Sequence, residues 1–359
     1  MSESQTDEFV DIGTLGVEEE FFAIDGEGYP TSAVDELIAD GDPPPVLDGR
    51  LDREMFKCIV ETKTPVCEDL AAAHDRVVAI REALVEYAAD HGFGIAAAGL
   101  HPAAHWDRLE CTEAPRYYDM RNRIQLPQNR NTTAGLHVHV GVDDPDKATW
   151  VANEIRWFLP VMLALSANSP YWRGVDTGLA SARTNVFGAI PNTGIPPAFE
   201  DFEAFQRFER LLIETNSIAD RRDLWYDVRL HTGCGTVEVR MPDAQSDVER
   251  THAFVEYVRA LVVDLAERYE DGETGRNHRY HTLVENKWRA TRNGHEATFI
   301  DREEAGTVPL AAVVERECDR LGVDGIARLL DDESGALRQR RLHREGGLEA
   351  VCHGLRVGS

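Results

Sequence analysis

The segment LGVEEEFFAID, residues 15–25, sets three consecutive glutamates in a stretch that otherwise has the pattern of a buried β-strand. Side chains alternate between the two faces of a strand, so Glu18 and Glu20 share one face and Glu19 lies on the other. Burying two neighbouring carboxylates is costly unless a cation or a proton neutralises them. The segment predicts a strand with Glu18 and Glu20 as candidate metal ligands. We expect Glu19 to face outer helices or solvent, or to be buried beside an arginine.

The acidic composition weakens this interpretation when the segment is taken alone. Asp and Glu account for 64 of the 359 residues, so acidic residues two positions apart recur by chance. A metal site requires partners from other segments.

Length and composition are those of a globular chain with one large or two closely joined domains, because 359 residues with 42% hydrophobic content can bury a substantial core. No run of 18 apolar residues occurs, and the first ten residues lack the pattern of a signal peptide. We therefore expect a cytoplasmic protein that does not enter the membrane. The six scattered cysteines form no C-x-x-C pair and are expected to be reduced, structural thiols.

The formal net charge of −26 argues against nucleic acid and anionic membranes as partners, since both require basic surfaces. Only four of the basic residues are lysines, namely Lys57, Lys63, Lys147 and Lys287. Extreme acidity is tolerated where molar salt screens the repulsion between carboxylates. The composition indicates a halophilic archaeon as the source.

Periodicity and turn residues predict an alternation of strands and helices along the chain. The helix at 67–92 carries Arg81 within its apolar stripe. The predicted strands are 15–25, 51–65 (a strand or hairpin), 93–101, 133–142 and 235–243; the predicted helices are 67–92, 144–170 and 246–270; residues 168–197 are a long loop, and the last hundred residues are largely helical.

Polar residues recur on strand faces that should point inward. They are Glu18 and Glu20 in the first strand, Glu61 with either Asp52 or Glu54 in the second, His137 and His139 in the third, and Glu238 and Arg240 in the fourth. Each group alone could be a solvated face or an ion pair worth less than about 1 kcal/mol. Together, carboxylates and imidazole without thiolates suit Mg²⁺ or Mn²⁺, and an arginine beside such ions suits a polyphosphate.

No Walker A motif and no well-placed G-x-G-x-x-G occurs, so a P-loop or Rossmann nucleotide site is not expected. Six blocks resemble, in order and spacing over about residues 13–295, the motifs of the carboxylate-amine ligase branch of the type 2 glutamate-cysteine ligase family. The blocks are LGVEEEF, VETKTPVC, AAGLHP, GLHVHVGV, SPYWRGVDTGLASARTNVFGAIP and GTVEVRMPD.

This resemblance implies an α+β, glutamine-synthetase-like fold, in which a curved, mainly antiparallel sheet forms a funnel with helices outside. A single ligase domain would span residues 1–359, with residues 296–359 as a helical C-terminal extension. By motif, the resemblance implies metal ligands at Glu18, Glu20, Glu61, Glu238 and the histidines His137 and His139, of which either could be the ligand. Among the arginines, Arg240 would contact phosphate and Arg292 would face the phosphates or glutamate. Arg183 lies in the long loop over 168–197, where it is either a clamp for a substrate carboxylate or a surface arginine.

The activity expected from this resemblance is ATP-dependent synthesis of γ-glutamylcysteine from glutamate and cysteine through a γ-glutamyl phosphate, with ATP and Mg²⁺ or Mn²⁺ as cofactors. The partners would be these small molecules, and a homo-oligomer is left open. A carboxylate-amine ligase for another amine and a non-catalytic nucleotide- or metal-binding protein of the same fold are the alternatives.

Overall fold

The computed structural model of the chain describes residues 8, 9, 11–276, 278–303 and 305–358. Its strands are β1 (Leu15–Ile24), β2 (Leu51–Arg53), β3 (Ile59–Lys63), β4 (Gly94–Ala96), β5 (Leu136–Gly141), β6 (Tyr171–Trp172), β7 (Val175–Asp176), β8 (Thr193–Gly194), β9 (Trp225–Tyr226), β10 (Val228–His231), β11 (Thr236–Val239), β12 (Thr298–Ile300) and β13 (Thr307–Pro309).

The helices are interspersed among these strands along the chain. They are α1 (Leu70–Asp90), α2 (Pro115–Ile124), α3 (Leu126–Asn129), α4 (Pro145–Ile155), α5 (Leu159–Ser166), α6 (Arg183–Phe187), α7 (Phe202–Glu214), α8 (Val248–Glu270), α9 (Tyr280–Asn293), α10 (Leu310–Leu321), α11 (Gly325–Asp331) and α12 (Gly335–Gly354), with single helical turns at Asp35–Ala39, Arg221–Asp223 and Gly294–Glu296.

The main sheet has the strand order β10-β11-β5-β1-β3-β2, and β4 pairs with the end of β1. All of its neighbouring strands are antiparallel, and the sheet is not closed, since β10 and β2 form its two edges. The predicted α+β class with a mainly antiparallel sheet is confirmed.

Strand alternation divides the main sheet into an apolar face and a polar face. Val17 of β1, Val138 of β5 and Val237 of β11 are buried in the core that helices α1, α4 and α8 form with the sheet. The intervening residues of the same strands are carboxylates and histidines, which lie on the opposite face. The helices therefore cover one face, and the other face is free to form a site.

Aspartate caps set the start of four helices, α7 through Asp201 and three others that pack against the main sheet. Asp69, Asp144 and Asp247 each accept a hydrogen bond from a backbone N–H in the first turn of α1, α4 and α8. The start predicted at Asp144 is confirmed, α8 begins two residues after the start of the predicted 246–270, and α1 lies within the predicted 67–92.

The sequence prediction differs from the structure in four segments. The single helix predicted over 144–170 is two helices, because Pro160 in the first turn of α5 lacks the N–H that a continuous helix would need. The strand predicted over 93–101 is only Gly94–Ala96, and the loop over 168–197 contains the short elements β6, β7, α6 and β8. The predominantly helical C-terminal part also contains the hairpin β12–β13, which the sequence does not predict.

Within the described residues, no helix has the combination of length and apolar composition that crossing a bilayer would require.

Candidate active site

A cavity of about 260 Å³ lies against the polar face of the main sheet. Carboxylates and arginines dominate one part of its wall, and apolar side chains form another part. The charged and imidazole residues lining it are Glu18, Glu20, Asp52, Arg53, Glu54, Glu61, Arg116, His137, Arg183, Arg222, Arg229, His231 and Arg240; the apolar and aromatic residues are Met55, Phe56, Ile59, Tyr117, Met120, Phe187, Ile190 and Trp225.

Strand register brings the acidic residues together. Glu20 of β1 is paired with Glu61 of β3, and Glu18 with His137 of β5. One strand further, Glu238 of β11 is paired with His139. Residues far apart in the sequence therefore form one continuous row of potential ligands across four strands.

Two groups of three residues have the spacing of a metal site. One ligand atom from each of Glu18, His137 and Glu238 lies within 4.8 Å of the other two, and the same holds for Glu20, Glu61 and His137. His137 belongs to both groups. Two adjoining cation positions that share one imidazole fit this arrangement.

The raised pKa values of Glu61 and Glu54 indicate that these carboxyl groups need a nearby positive charge in order to ionise. Burial raises the pKa of Glu61 well above its ordinary value, and the nearby carboxylates of Glu18, Glu54 and Glu20 raise it further. Burial and the charge of Glu20 also raise the pKa of Glu54 to about 8. A divalent cation would remove this repulsion, and oxygen ligands with one imidazole suit Mg²⁺ or Mn²⁺. The residues present therefore fit the metal expected from the sequence.

At the opposite end of the row, cationic neighbours stabilise the ionised carboxylate of Glu238. Burial opposes ionisation, but Arg229, Arg240 and His139 outweigh it and hold the pKa of Glu238 well below its ordinary value. Arg229 Nε donates to Glu238 Oε2 over 2.6 Å, and Arg240 Nη1 donates to Glu238 Oε1. Glu238 therefore fixes two arginines at the cavity wall.

The two histidines of the H-V-H motif differ in their surroundings. His137 Nδ1 lies 3.2 Å from Glu18 Oε2 and 3.3 Å from Arg240 Nη1. His139 Nδ1 contacts Thr236 Oγ1 at 3.0 Å, and its buried Nε2 has no hydrogen-bond partner. That Nε2 is 3.5 Å from Glu18 Oε1 and 3.7 Å from Glu238 Oε1. His137 therefore lies close to the carboxylates of both groups of three. His139 Nε2 lies close to Glu18 and Glu238, at the first group.

Asp52 and Glu54 both line the cavity, but they have different partners. Asp52 Oδ2 accepts a hydrogen bond from Lys63 Nζ over 2.9 Å. The charge of Glu20 acts directly on Glu54. Glu54 is therefore the member of this pair that interacts electrostatically with the cluster, and its raised pKa favours its neutral form near pH 7.

Arg183 and Arg240 both reach the cavity, as the sequence predicts. Arg183 is buried, and its guanidinium donates to the carbonyl oxygens of Met241 over 3.1 Å and Arg240 over 3.2 Å. Its Nε has no hydrogen-bond partner, and the same is true of Arg240 Nε. Both arginines thus retain donor capacity toward a bound anion.

Arg292 does not lie with Arg183 and Arg240 at the cavity. It is exposed in the last turn of α9 and is not among the residues that line the cavity. Its neighbour Thr291 is buried and contacts Thr184 of α6 through its hydroxyl group, so α9 approaches the cavity wall through a residue other than the arginine.

Sequence reasoning missed several lining residues, of which Arg229 is the one most directly tied to the acidic row. Arg229 is paired with Glu238 across the β10–β11 hairpin. The signal was present, because the turn TGCG is flanked by VRLH and TVEV, whose alternation places Arg229 opposite Glu238. Arg116, Tyr117 and Trp225 come from segments without such a pattern.

The chain matches the sequence profile of glutamate-cysteine ligase family 2 (GCS2) over residues 14–354. It is 61% identical to a glutamate–cysteine ligase of Natronomonas pharaonis over 345 residues, covering 96% of this chain and 95% of that protein. It is 59% identical to a glutamate–cysteine ligase of Haloferax volcanii over 355 residues, covering 99% of each.

Solved structures show the same fold. The glutamate–cysteine ligase of Francisella tularensis in complex with AMP superposes with a TM-score of 0.67 at 12% identity, covering 97% of this chain and 88% of that one. A bifunctional glutathione synthetase from Pasteurella multocida superposes with a TM-score of 0.64 at 13% identity, covering 95% of this chain and 50% of that one. With the family profile matched over nearly its whole length and relatives about 60% identical, the chain belongs to glutamate-cysteine ligase family 2.

Proposed function

We propose that this chain is an ATP-dependent ligase that joins the γ-carboxylate of L-glutamate to the amine of L-cysteine and releases ADP and phosphate. The observation that carries this assignment is the row of carboxylates and imidazoles on the inner face of the sheet, bordered by arginines, in a member of this family. Such a wall suits a polyphosphate held through divalent cations.

The residues proposed to hold the metal are the two groups that share His137. Glu18, His137 and Glu238 form one group, and Glu20 and Glu61 complete the other. Bound Mg²⁺ or Mn²⁺ would neutralise phosphate charge and polarise the phosphoryl group that is transferred. Glu54 lies beside the second group, where a bound cation would favour its ionised form, and His139 flanks the first.

A carboxylate does not react with an amine at neutral pH, so ATP must first activate it. In the first step, a γ-carboxylate oxygen of glutamate attacks the γ-phosphorus, the bond between that phosphorus and the β,γ-bridging oxygen breaks, and ADP leaves. In the second step, the amine of cysteine attacks the acyl carbon, the acyl–oxygen bond breaks, and phosphate leaves with the former carboxylate oxygen. The amine loses a proton, and the amide remains.

The arginines of the cavity supply positive charge along this route. Arg240 is fixed by Glu238 and is proposed to contact the phosphates. Arg183 is held by two backbone carbonyls and is proposed to bind a substrate carboxylate with its remaining donors. The mechanism requires no covalent enzyme intermediate, and no cysteine is among the residues lining the cavity of the described chain.

The choice of cysteine as the amine rests on the relatives named glutamate–cysteine ligase, which are about 60% identical to this chain over nearly its whole length. A ligase for another amine and a binding protein without turnover are the competing functions.

An ADP-release screen separates these functions. The purified protein, in molar KCl with Mg²⁺, is given ATP and either glutamate or aspartate with cysteine, alanine, glycine or ammonia. We expect ADP release with glutamate and cysteine to exceed every other pair. Preference for another amine would replace cysteine, and no ADP release with any pair would favour the binding protein.

A further inference from the structure

Asp243 lies shortly after the strand that carries Glu238, three residues beyond Arg240, and it is completely buried. It is not one of the residues that line the cavity, and the proposed reaction gives it no role. We propose that Asp243 is a positioning residue, which fixes the guanidinium of Arg183 at the cavity wall by anchoring the segment that carries it and by balancing its charge. The effect on turnover rests on the proposed function, whereas the effect on Arg183 itself does not.

The carboxylate of Asp243 anchors both ends of the segment that leads to Arg183. Its Oδ2 accepts hydrogen bonds from the backbone N–H of Asn168 over 2.9 Å and from Ser169 Oγ over 2.7 Å. Its Oδ1 accepts a hydrogen bond from Ser181 Oγ over 3.0 Å. One side chain therefore holds two points that lie twelve residues or more apart.

These anchors continue directly to the backbone of Arg183. Ser169 Oγ accepts a hydrogen bond from the N–H of Arg183 over 3.2 Å, and the carbonyl of Ser169 accepts one from the N–H of Ala182 over 2.8 Å. Arg183 is the first residue of α6. The position at which α6 begins is thus set by the hydroxyl group that Asp243 holds.

Charge gives a second link between the two side chains. Asp243 Oδ1 lies 3.9 Å from Arg183 Nη1, and both side chains are almost inaccessible to solvent. Within the described part of the chain, Asp243 is the carboxylate that forms an ion pair with Arg183 at 4.0 Å or less. A buried guanidinium bonded only to backbone carbonyls requires a nearby negative charge, and Asp243 provides it.

Two glycines leave room for this arrangement. A Cβ atom at Gly99 would lie 2.4 Å from Asp243 Cγ, and a Cβ atom at Gly135 would lie 2.3 Å from Arg183 Nη2. The same Cβ at Gly135 would be 3.3 Å from His137 Nε2, so the guanidinium occupies space next to the proposed metal ligand. Asp243 and Arg183 therefore each pack against the backbone of a glycine, where a larger residue would collide with them.

Variants of Asp243 should behave differently if Asp243 only anchors the loop than if it also positions Arg183. The anchor needs only hydrogen-bond acceptors, whereas Arg183 also needs the negative charge. Asp243→Asn removes the charge and keeps one acceptor, and Ser181→Ala removes one anchor and keeps the charge. Glu317→Gln is the matched control, because Glu317 is buried and paired with Arg302 and Arg320, and it does not line the cavity.

The first measurement is hydrogen exchange of the Arg183 Nε–H with water, followed by NMR of the full chain in molar KCl. The signal is assigned by its loss in Arg183→Lys. We expect exchange to be faster by about tenfold or more in Asp243→Asn, faster by a smaller factor in Ser181→Ala, and unchanged in Glu317→Gln. An unchanged rate in Asp243→Asn overturns the proposal. If that variant does not fold, an unchanged rate in Ser181→Ala does so.

The second measurement is a double-mutant cycle on ADP release with glutamate and cysteine. We expect Asp243→Asn to raise the KM for glutamate by about tenfold in the parent protein, and by less than about twofold when Arg183 is already lysine. If Asp243→Asn raised the KM for glutamate by the same factor in the parent and in Arg183→Lys, Asp243 would not act through Arg183. A parent protein without turnover would reject the proposed function, and the exchange measurement would still decide the role of Asp243.

Discussion

The carboxylate of Glu19 and the guanidinium of Arg81 form a two-pronged ion pair on the helix-covered face of β1. Arg81 Nε donates to Glu19 Oε2 over 2.8 Å, and Arg81 Nη2 donates to Glu19 Oε1 over 2.5 Å. The hydroxyl group of Thr251 in α8 donates to the same Oε1 over 3.0 Å. The middle glutamate of the E-E-E run therefore joins α1 and α8 to the sheet, while its two neighbours face the cavity.

The Glu19→Gln substitution should reduce stability and leave metal dependence unchanged. Removing one partner leaves the buried charge of Arg81 unpaired, so we expect a loss of about 3–5 kcal/mol in the free energy of unfolding. Denaturant titrations in molar KCl measure this loss, and ADP release as a function of Mg²⁺ concentration measures the metal requirement. If Glu19→Gln raised that requirement as much as Glu20→Gln does, Glu19 would have to face the cavity.

In contrast to Glu19→Gln, the Glu61→Gln substitution should raise stability and weaken metal binding. It removes one of several mutually repelling carboxylates whose ionisation burial already disfavours. We expect a higher melting temperature in EDTA and an Mg²⁺ concentration for half-maximal rate raised by about 100-fold or more. A lower melting temperature together with an unchanged Mg²⁺ requirement would show that Glu61 has a packing role and no metal role.

The pH dependence of stability should contain a contribution from His101. Burial lowers the pKa of His101 to about 3, and an unfolded histidine titrates near 6.5. Between these values the unfolded state binds the proton and the folded state does not, so stability falls as the pH drops below about 6.5, by up to about 1.4 kcal/mol per unit.

The matched variant is His101→Asn, which cannot titrate and retains an acceptor for the N–H of Ala103, the present donor to His101 Nδ1. Unfolding titrations between about pH 5 and pH 7.5 should give a smaller slope for the variant than for the parent. Equal slopes would exclude a contribution from His101.

Salt dependence follows from the net charge of −26. Screening by about molar KCl shortens the Debye length to about 3 Å and removes repulsion between surface carboxylates. We expect the melting temperature and the rate to rise steeply between about 0.1 M and 2 M KCl, and sucrose of equal osmolality to be a poor substitute. Full activity and cooperative unfolding in about 50 mM salt would contradict this expectation.

The alternation of side chains along each strand was sufficient to predict which residues form the row of carboxylates and histidines across the sheet. The period of a strand separates Glu18 and Glu20 from Glu19 without any knowledge of the neighbouring strands. The helical period of residues 67–92 likewise places Arg81 on the buried stripe of α1, where an arginine needs an anion. What the pattern could not supply was the identity of that anion, because the pairing depends on how α1 packs across the sheet.

Features that depend on tertiary packing were not accessible from the sequence. Asp243 has no local signal that separates it from a surface aspartate, and its role depends on two serines more than 60 residues away. The exposure of Arg292 likewise depends on which side of α9 packs against α5. The break at Pro160 was readable in principle, since a proline within a predicted helix removes a donor.

Transfer of ¹⁸O from glutamate to phosphate tests the central claim most directly. Glutamate labelled with ¹⁸O in both γ-carboxylate oxygens is incubated with cysteine, ATP, Mg²⁺ and the protein in molar KCl, and both products are analysed by mass spectrometry. The proposed mechanism predicts one ¹⁸O in the released phosphate, one in the amide of γ-glutamylcysteine, and one ADP per amide formed. Phosphate without ¹⁸O, or AMP and pyrophosphate in place of ADP, would contradict activation of glutamate as an acyl phosphate in this cavity.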